Sequence, residues 1–400
     1  MSTEPPDRAD LLIRSARIPS AAGDRVVDIA IHDGVISTVQ DADADEAASR
    51  TPATATVDAD GALVSPGLID IHLHGGFGAT FGATDGDQLD RLTAGLAARG
   101  VTTVLASLVS EPTEQLTSKI TALSAHLGPR SDHATIAGIH LEGPFLSRAQ
   151  AGAHQPEVLR SPTAADLELI TQHANVISMI TLAPELPELD RLTELCTETG
   201  IVAAIGHSDG DQGDFDRAVA SGASHVTHLW SGQSLVTRRG PWRVPGMLEA
   251  SLASSLTAEI IADGKHLPPT LLEIARRCVG ERLVVVSDAT PGAGMPEGYT
   301  YRLGTVSCRV QDGVGMVEGQ DAFGGSTTLV DEMLRYLVGE LGWPVYQVLA
   351  MLTSSPATVL GRSDLGVIAP GARADLVLWT PELTADRVII GGRVLADQIS

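Results

Sequence analysis

The apolar run Ile139-His140-Leu141-Glu142-Gly143-Pro144-Phe145 ends in an acid and a sharp Gly-Pro turn. The run reads as a buried strand, and an ionised group taken out of water there must be paired, hydrogen-bonded or bound to a metal. Glu142 is therefore either a metal ligand or a partner for a helix end or an arginine, and other residues must decide. In Leu68-Ile69-Asp70-Ile71-His72-Leu73-His74 two histidines stand two apart, so strand alternation points both to one face. Two imidazoles side by side suit a divalent ion, although a solvated barrel mouth also tolerates such a pair. His207 follows the apolar run 201–205, and His228 follows Val226-Thr227. Each stands at the end of its own strand, level with Glu142. One carboxylate and two imidazoles make a site for Zn²⁺ or another borderline ion with a position open for water, whose pKa there falls to about 7. Val284-Val285-Val286-Ser287-Asp288-Ala289 closes a last strand on a second acid. Asp288 either caps the following turn or carries a proton from the attacking water to a leaving nitrogen. His225, nearer the start of the strand that leads to His228, is expected to be structural.

Those residues need a scaffold that gathers strand ends. Apolar strands are expected at 68–73, 101–105, 137–141, 176–182, 201–205, 225–228, 257–261 and 283–286, with helical segments such as 88–99 and 189–199 between them. This βα rhythm over about 300 residues predicts an α/β chain built on a (β/α)₈ TIM barrel, whose chemistry sits at the C-terminal ends of its strands. The two chain ends are different. Short β-like runs before residue 65 return only after residue 365, so both ends are expected to form one small β domain, with residues 41–55 a loop. The predicted organisation is a small β-sandwich domain from 1–65 plus 365–400 and a barrel from 66–364.

Composition narrows the partners. With 43% hydrophobic residues and 41 glycines in 400, the chain can bury a large core. A net charge of −23 argues against nucleic acid and anionic membranes as partners. Neither a leader pattern nor an apolar run of about 18 residues is evident, which predicts a cytoplasmic protein. Cys196, Cys278 and Cys308 are few, distant and odd in number, so no disulfide framework or thiolate metal site is expected.

Together these residues resemble the amidohydrolase superfamily, and within it the N-acetylglucosamine-6-phosphate deacetylases. The resemblance is carried by residues 66–75, by His140-Leu141-Glu142-Gly143-Pro144-Phe145, by 152–157 and 181–185, by Gly206-His207-Ser208 and by Thr227-His228-Leu229. It continues through 261–266, Ser287-Asp288-Ala289, Gly325-Ser326-Thr327 and Ser355-Pro356-Ala357. It implies hydrolysis of the acetamide of an N-acetylated amino sugar, with N-acetylglucosamine 6-phosphate as the first substrate to consider. It also implies a homodimer and one or two divalent ions: Zn²⁺ first, with Fe²⁺, Mn²⁺, Co²⁺ or Ni²⁺ as alternatives. Glu142, His207 and His228 would hold the main ion, His72 and His74 a second, and Asp288 would be the acid-base residue. Ala153, His154, Ser231, Gly232, Asp263, His266, Phe323, Gly324 and Gly325 fall at substrate positions.

One stretch departs from the family. The family has an aromatic residue followed by Asn-Ala-Met, then an Arg-Glu-Pro-Gly segment that reaches the phosphate in a neighbouring subunit. Here the chain reads Trp230-Ser231-Gly232-Gln233, then Thr237-Arg238-Arg239-Gly240-Pro241-Trp242-Arg243. The amide donor is gone. Arg239 and Arg243 remain candidates for an anionic group, against a plain solvated loop. Two other functions fit less of the sequence: an amidohydrolase for a different N-acyl amine or a cyclic amide, and an inactive sugar-binding protein on the same scaffold.

Overall fold

The computed structural model describes residues 8–42, 52–83, 85–130 and 132–395. Its centre is an eight-stranded parallel sheet running Leu68–Leu73, Val101–Val109, Thr135–Glu142, Ile177–Leu182, Val202–Ile205, His225–Val226, Thr257–Ile261 and Leu283–Val286 in spatial as in chain order. The first and last strands meet just past their ends. The Asp288 N–H donates to the His72 carbonyl at 2.9 Å, and the His74 N–H to that of Ala289 at 2.7 Å. All eight expected strands are present, with ends moved by a few residues. The second runs on to Val109, and the sixth stops at Val226, leaving Thr227 and His228 beyond its end.

Helices pack outside this sheet because their apolar residues recur on one face. Gly86–Ala98 starts at an Asp85 side-chain cap and buries Leu89, Leu92 and Leu96. Ala164–Gln172 starts at a Thr163–Asp166 capping box, which satisfies two free N–H groups at once. Leu189–Thr199 ends at Gly200 in the left-handed region, as helices commonly do. No helix among the described residues is long and apolar enough to cross a membrane.

The barrel interior is unusually polar for a fold that normally fills with branched apolar side chains. His140 bonds Ser107 at 2.9 Å and Thr181 at 2.8 Å, and Thr181 bonds Thr227 at 2.8 Å. Asp70 accepts from the Ser287 hydroxyl at 2.5 Å, and burial pushes its carboxyl up to about 7.

Strands from both chain ends share a second eight-stranded sheet, in which Leu63–Pro66 pairs antiparallel with Leu376–Trp379. The indole N–H of Trp379 donates to Ser65 Oγ at 2.8 Å across that seam. Ile13, Ile29, Ile31, Val64, Leu376 and Ile389 form part of its separate core. The strand Ala9–Ile18 pairs with Ala53–Asp58 along its first half and with Leu63–Pro66 near its end, and on its other edge with Arg25–His32, where a bulge falls between Ile13 and Ala16. The expected loop at 41–55 is corrected at both edges: Asp41 closes one strand and Ala53 opens another. Residues 43–51 lie outside those described. Sequence reading also passed over the three-stranded sheet Thr300–Leu303, Val306–Gln311 and Val314–Val317, which follows the last barrel strand and helps wall the site.

Candidate metal centre and substrate cavity

Glu142 is the last residue of its strand and 3% exposed. Five imidazole Nε2 atoms surround its carboxylate. Those of His207 and His228 lie 3.1 and 3.0 Å from Oε1, with His72 at 3.5 Å. Those of His74 and His154 lie 3.2 and 3.3 Å from Oε2. Asp288 joins from the last strand, its Oδ1 3.3 Å from His74 Nε2 and 3.8 Å from that of His72. The six residues expected to form the reactive centre are thus gathered on strand ends.

What the opposite ring nitrogens do decides whether this is a metal site. His74 Nδ1 faces the Ser107 carbonyl at 3.2 Å, His207 Nδ1 the Gln150 carbonyl at 2.7 Å, and His72 Nδ1 the Glu259 carboxylate at 3.0 Å. Carbonyls and carboxylates only accept, so each Nδ1 carries the proton. In the neutral rings the Nε2 lone pairs then face the lone pairs of Glu142 and Asp288, an arrangement favourable only with positive charge between them. Among the described residues His72 Nε2 has no hydrogen-bond partner. The donor set fits a divalent ion, and the same atoms form triads with metal-ligand spacing: His72, His74 and Asp288, and His72, Glu142 and His228.

His154 differs from the others. Its Nδ1 accepts the Ser110 backbone N–H at 3.3 Å, so its neutral ring carries the proton on Nε2 and offers a donor. Burial holds that ring below its ordinary value, against the opposing pull of the Glu142 carboxylate.

The charges agree with this picture. Burial by itself would raise Glu142, but the surrounding rings, His154 and His72 foremost, hold it well below the usual carboxylate range. Burial would lower His74, yet Asp288 and Glu142 lift it to about 9. Asp288 is likewise held low by His74 and His72 against its own burial. These carboxylates call for a cation, and they raise His72 and His207 as well as His74 above the ordinary imidazole value.

His207 and Asp288 sit at positive φ, 46° and 48°, an uncommon conformation for non-glycine residues that concentrates at functional sites. Glycine is required at two positions beside them. A Cβ on Gly232 would lie 2.7 Å from His207 Nδ1, and one on Gly325, at φ 77°, would lie 2.5 Å from Thr290 Cγ2.

A cavity of about 210 Å³ opens over the cluster, lined by His74, Glu142, His154, His207, His228, His266 and Asp288, by Gly152, Ala153, Ser231, Gly232 and Gly325, and by apolar Val109, Leu303, Ala322 and Phe323. Of the expected substrate residues, Ala153, His154, Ser231, Gly232, His266, Phe323 and Gly325 therefore line it. Asp263 and Gly324 stand one layer behind. Asp263 accepts from His266 Nδ1 at 2.7 Å and from Ser326 Oγ at 3.0 Å, while the Gly324 carbonyl accepts the Tyr301 hydroxyl at 3.0 Å.

Arg239 and Arg243 are not brought to the cavity of their own chain. They lie on a hairpin, Thr237–Arg239 with Trp242–Val244, whose two strands pair only with each other. Every residue of that hairpin but Val244 is exposed. Sequence reading also passed over Glu259. It is an acid inside an apolar strand, the same signal that marked Glu142.

The comparisons with known proteins agree with the geometry. Residues 63–395 match the amidohydrolase family model. The chain is 31% identical over 361 residues to the N-acetylglucosamine-6-phosphate deacetylase of Caenorhabditis elegans, covering 86% of this chain and 85% of that one. It is 30% identical over 368 residues to the enzyme of the same name from Vibrio furnissii, covering 91% and 89%. Among solved structures, a mutant N-acetyl-D-glucosamine-6-phosphate deacetylase of Mycobacterium smegmatis, in complex with N-acetyl-D-glucosamine-6-phosphate, superposes with a TM-score of 0.86 at 30% identity. That match covers 97% of this chain and 100% of the other. The chain belongs to the amidohydrolase family, among the N-acetylglucosamine-6-phosphate deacetylases, and is a metal-dependent hydrolase.

Proposed function

We propose that this chain hydrolyses the acetamide of N-acetylglucosamine 6-phosphate to glucosamine 6-phosphate and acetate, as a cytoplasmic homodimer with Zn²⁺ as its ion. The observation that carries the reading is the convergence of His74, His207 and His228 with Glu142 and Asp288 at the floor of one cavity, with His72 directly behind them. In this reading Glu142, His207 and His228 hold the main ion, and His72 and His74 support a second. Bound there, such an ion would supply a Lewis acid for the amide carbonyl and for water. Asp288, held ionised by His74 and His72, takes the proton of the attacking water and delivers it to the nitrogen as the C–N bond breaks. His154, whose Nε2 lies 3.3 Å from Glu142 Oε2, stands beside the position of the reacting amide. His266, clamped by Asp263, faces the sugar, with the aromatic ring of Phe323 4.7 Å from its own. Ala153, Ser231, Gly232 and Gly325 shape the wall that a sugar ring would lie against, and Gly324 holds the turn behind it. The catalytic unit is 66–364, with 1–65 and 365–400 as the β domain that ties down the first and last segments.

The phosphate is the part a single chain serves least, because no Lys or Arg among the described residues lines the cavity. Arg239 and Arg243 are proposed to meet it from a second copy's hairpin. The same observation favours a second reading, in which the substrate is an unphosphorylated N-acyl amine or cyclic amide. Acetate release from N-acetylglucosamine 6-phosphate, measured beside the unphosphorylated sugar, separates the two. Preference for the phosphorylated sugar supports the first reading. Equal or better release from the neutral sugar supports the second, and release from neither overturns both.

A further inference from the structure

Beneath the metal centre a second acid is buried in the barrel. Glu259 lies within the strand Thr257–Ile261 and is 0% exposed. Its Oε2 accepts from His72 Nδ1 at 3.0 Å and from the His228 backbone N–H at 3.1 Å. Its Oε1 accepts from His225 Nε2 at 3.1 Å. The far nitrogen of His225 is 2.7 Å from Thr257 Oγ1, which lies 3.2 Å from the Ser224 carbonyl. No Arg or Lys pairs with this carboxylate among the described residues; its ion pairs are with His72 and His225 alone.

Stability does not explain such an acid, because well-packed apolar residues commonly hold a core at least as well as a buried ion pair. Its neighbours do explain it. His74 and His207 present their Nδ1 protons to neutral backbone carbonyls, whereas His72 alone among the rings around Glu142 presents its own to a carboxylate. A carboxylate behind a ligating imidazole fixes the ring's tautomer and orientation and makes it a stronger donor. The same Glu259 oxygen also grips the backbone of His228, so one group sets two rings that come from different strands.

We propose that Glu259 is a positioning residue for the metal centre. It holds the His72 ring with the bare Nε2 toward Glu142 and Asp288, anchors His228 through its backbone, and is itself held by His225. The proposal rests on the metal-dependent reading above and adds the group that makes His72 a ligand.

The test compares full-length wild type with Glu259→Gln, which keeps the shape and removes the charge. Zn²⁺ affinity and stoichiometry are measured by equilibrium dialysis, the visible spectrum with Co²⁺ loaded, and Tm without metal. The expected result is a fall in metal affinity of about 10- to 100-fold with an altered Co²⁺ spectrum, together with a fall in kcat larger than any change in KM. Glu259→Asp, which keeps the charge but draws it back from His72, is expected to weaken metal binding in the same sense and serves if the Gln variant does not fold. A lowered metal-free Tm with affinity and Co²⁺ spectrum both unchanged would overturn the proposal and leave Glu259 a structural residue. A wild type that binds no metal would overturn the metal-dependent reading itself, a result visible before any variant is made.

Discussion

Glu142 and Arg239 carry opposite charges in opposite settings. Glu142 is 4% exposed at its side chain and surrounded by imidazoles from several strands. The Arg239 side chain is 82% exposed, and its one acidic neighbour, Asp211, stands 4.0 Å away. Strand ends in a barrel are fixed by hydrogen bonds on both sides, so side chains there converge with little freedom left. A hairpin paired only with itself leaves its side chains where solvent and partners decide. The reacting end of the site is built into the chain, whereas the end that would read an anion waits for something else to complete it.

The largest effect should come from Glu142→Ala. It removes the group on which the imidazoles converge, and the loss of metal should lower kcat/KM on the order of 10³-fold or more, with metal content read in parallel. Full activity in that variant would dissolve the contrast between the two regions. Asp288→Asn should come next. Turnover should fall by about 10²- to 10⁴-fold while metal stays bound; metal lost along with turnover would make Asp288 a ligand rather than the proton carrier. Replacing both Arg239 and Arg243 with Ala should be milder, raising KM for the phosphorylated sugar by roughly tenfold and leaving the neutral sugar unaffected, as expected when a charge-assisted hydrogen bond is removed. An unchanged KM would assign the hairpin to plain solvent.

The smallest effect is a pH dependence at the substrate wall. Burial opposes the charges of both partners, but the Asp263–His266 pair overcomes it, so Asp263 is held below 3.8 and His266 above 6.5. The Asp263 contribution is complete above 3.8 and is lost as pH falls. The His266 contribution is complete below 6.5 and is lost as pH rises through its folded-state value. The destabilisation caused by Asp263→Asn, followed by thermal melts, should therefore be greatest in the mildly acid range and shrink above 6.5, by at most about 1.4 kcal/mol per pH unit. A pH-independent difference would mean that the pair is held by geometry and not by charge.

Much of the barrel could be read from the sequence because eight apolar runs recur along it, and five of them end in residues that do not belong in apolar surroundings. His72, His74, Glu142, His207, His228 and Asp288 were visible for that reason. Glu259 carried the same signal. It was overlooked because it lies mid-strand, where its partners are histidines of other strands and no turn marks it. The wall formed by Leu303, Ala322 and Phe323 comes from an inserted three-stranded sheet and the segment that follows it, whose placement over the cavity depends on packing between distant segments, which periodicity cannot register. Arg239 and Arg243 show the reverse case: their charge and clustering were plain, but exposure and reach are properties of the folded hairpin.

The central claim is that the Glu142-centred cluster hydrolyses an N-acetyl sugar phosphate with a bound divalent ion. Its most direct test is acetate release from N-acetylglucosamine 6-phosphate by the protein as purified, after chelation, and after reloading with Zn²⁺. The account predicts release that disappears on chelation and returns on reloading. Release that persists through chelation, or that never appears in metal-loaded protein, would contradict it.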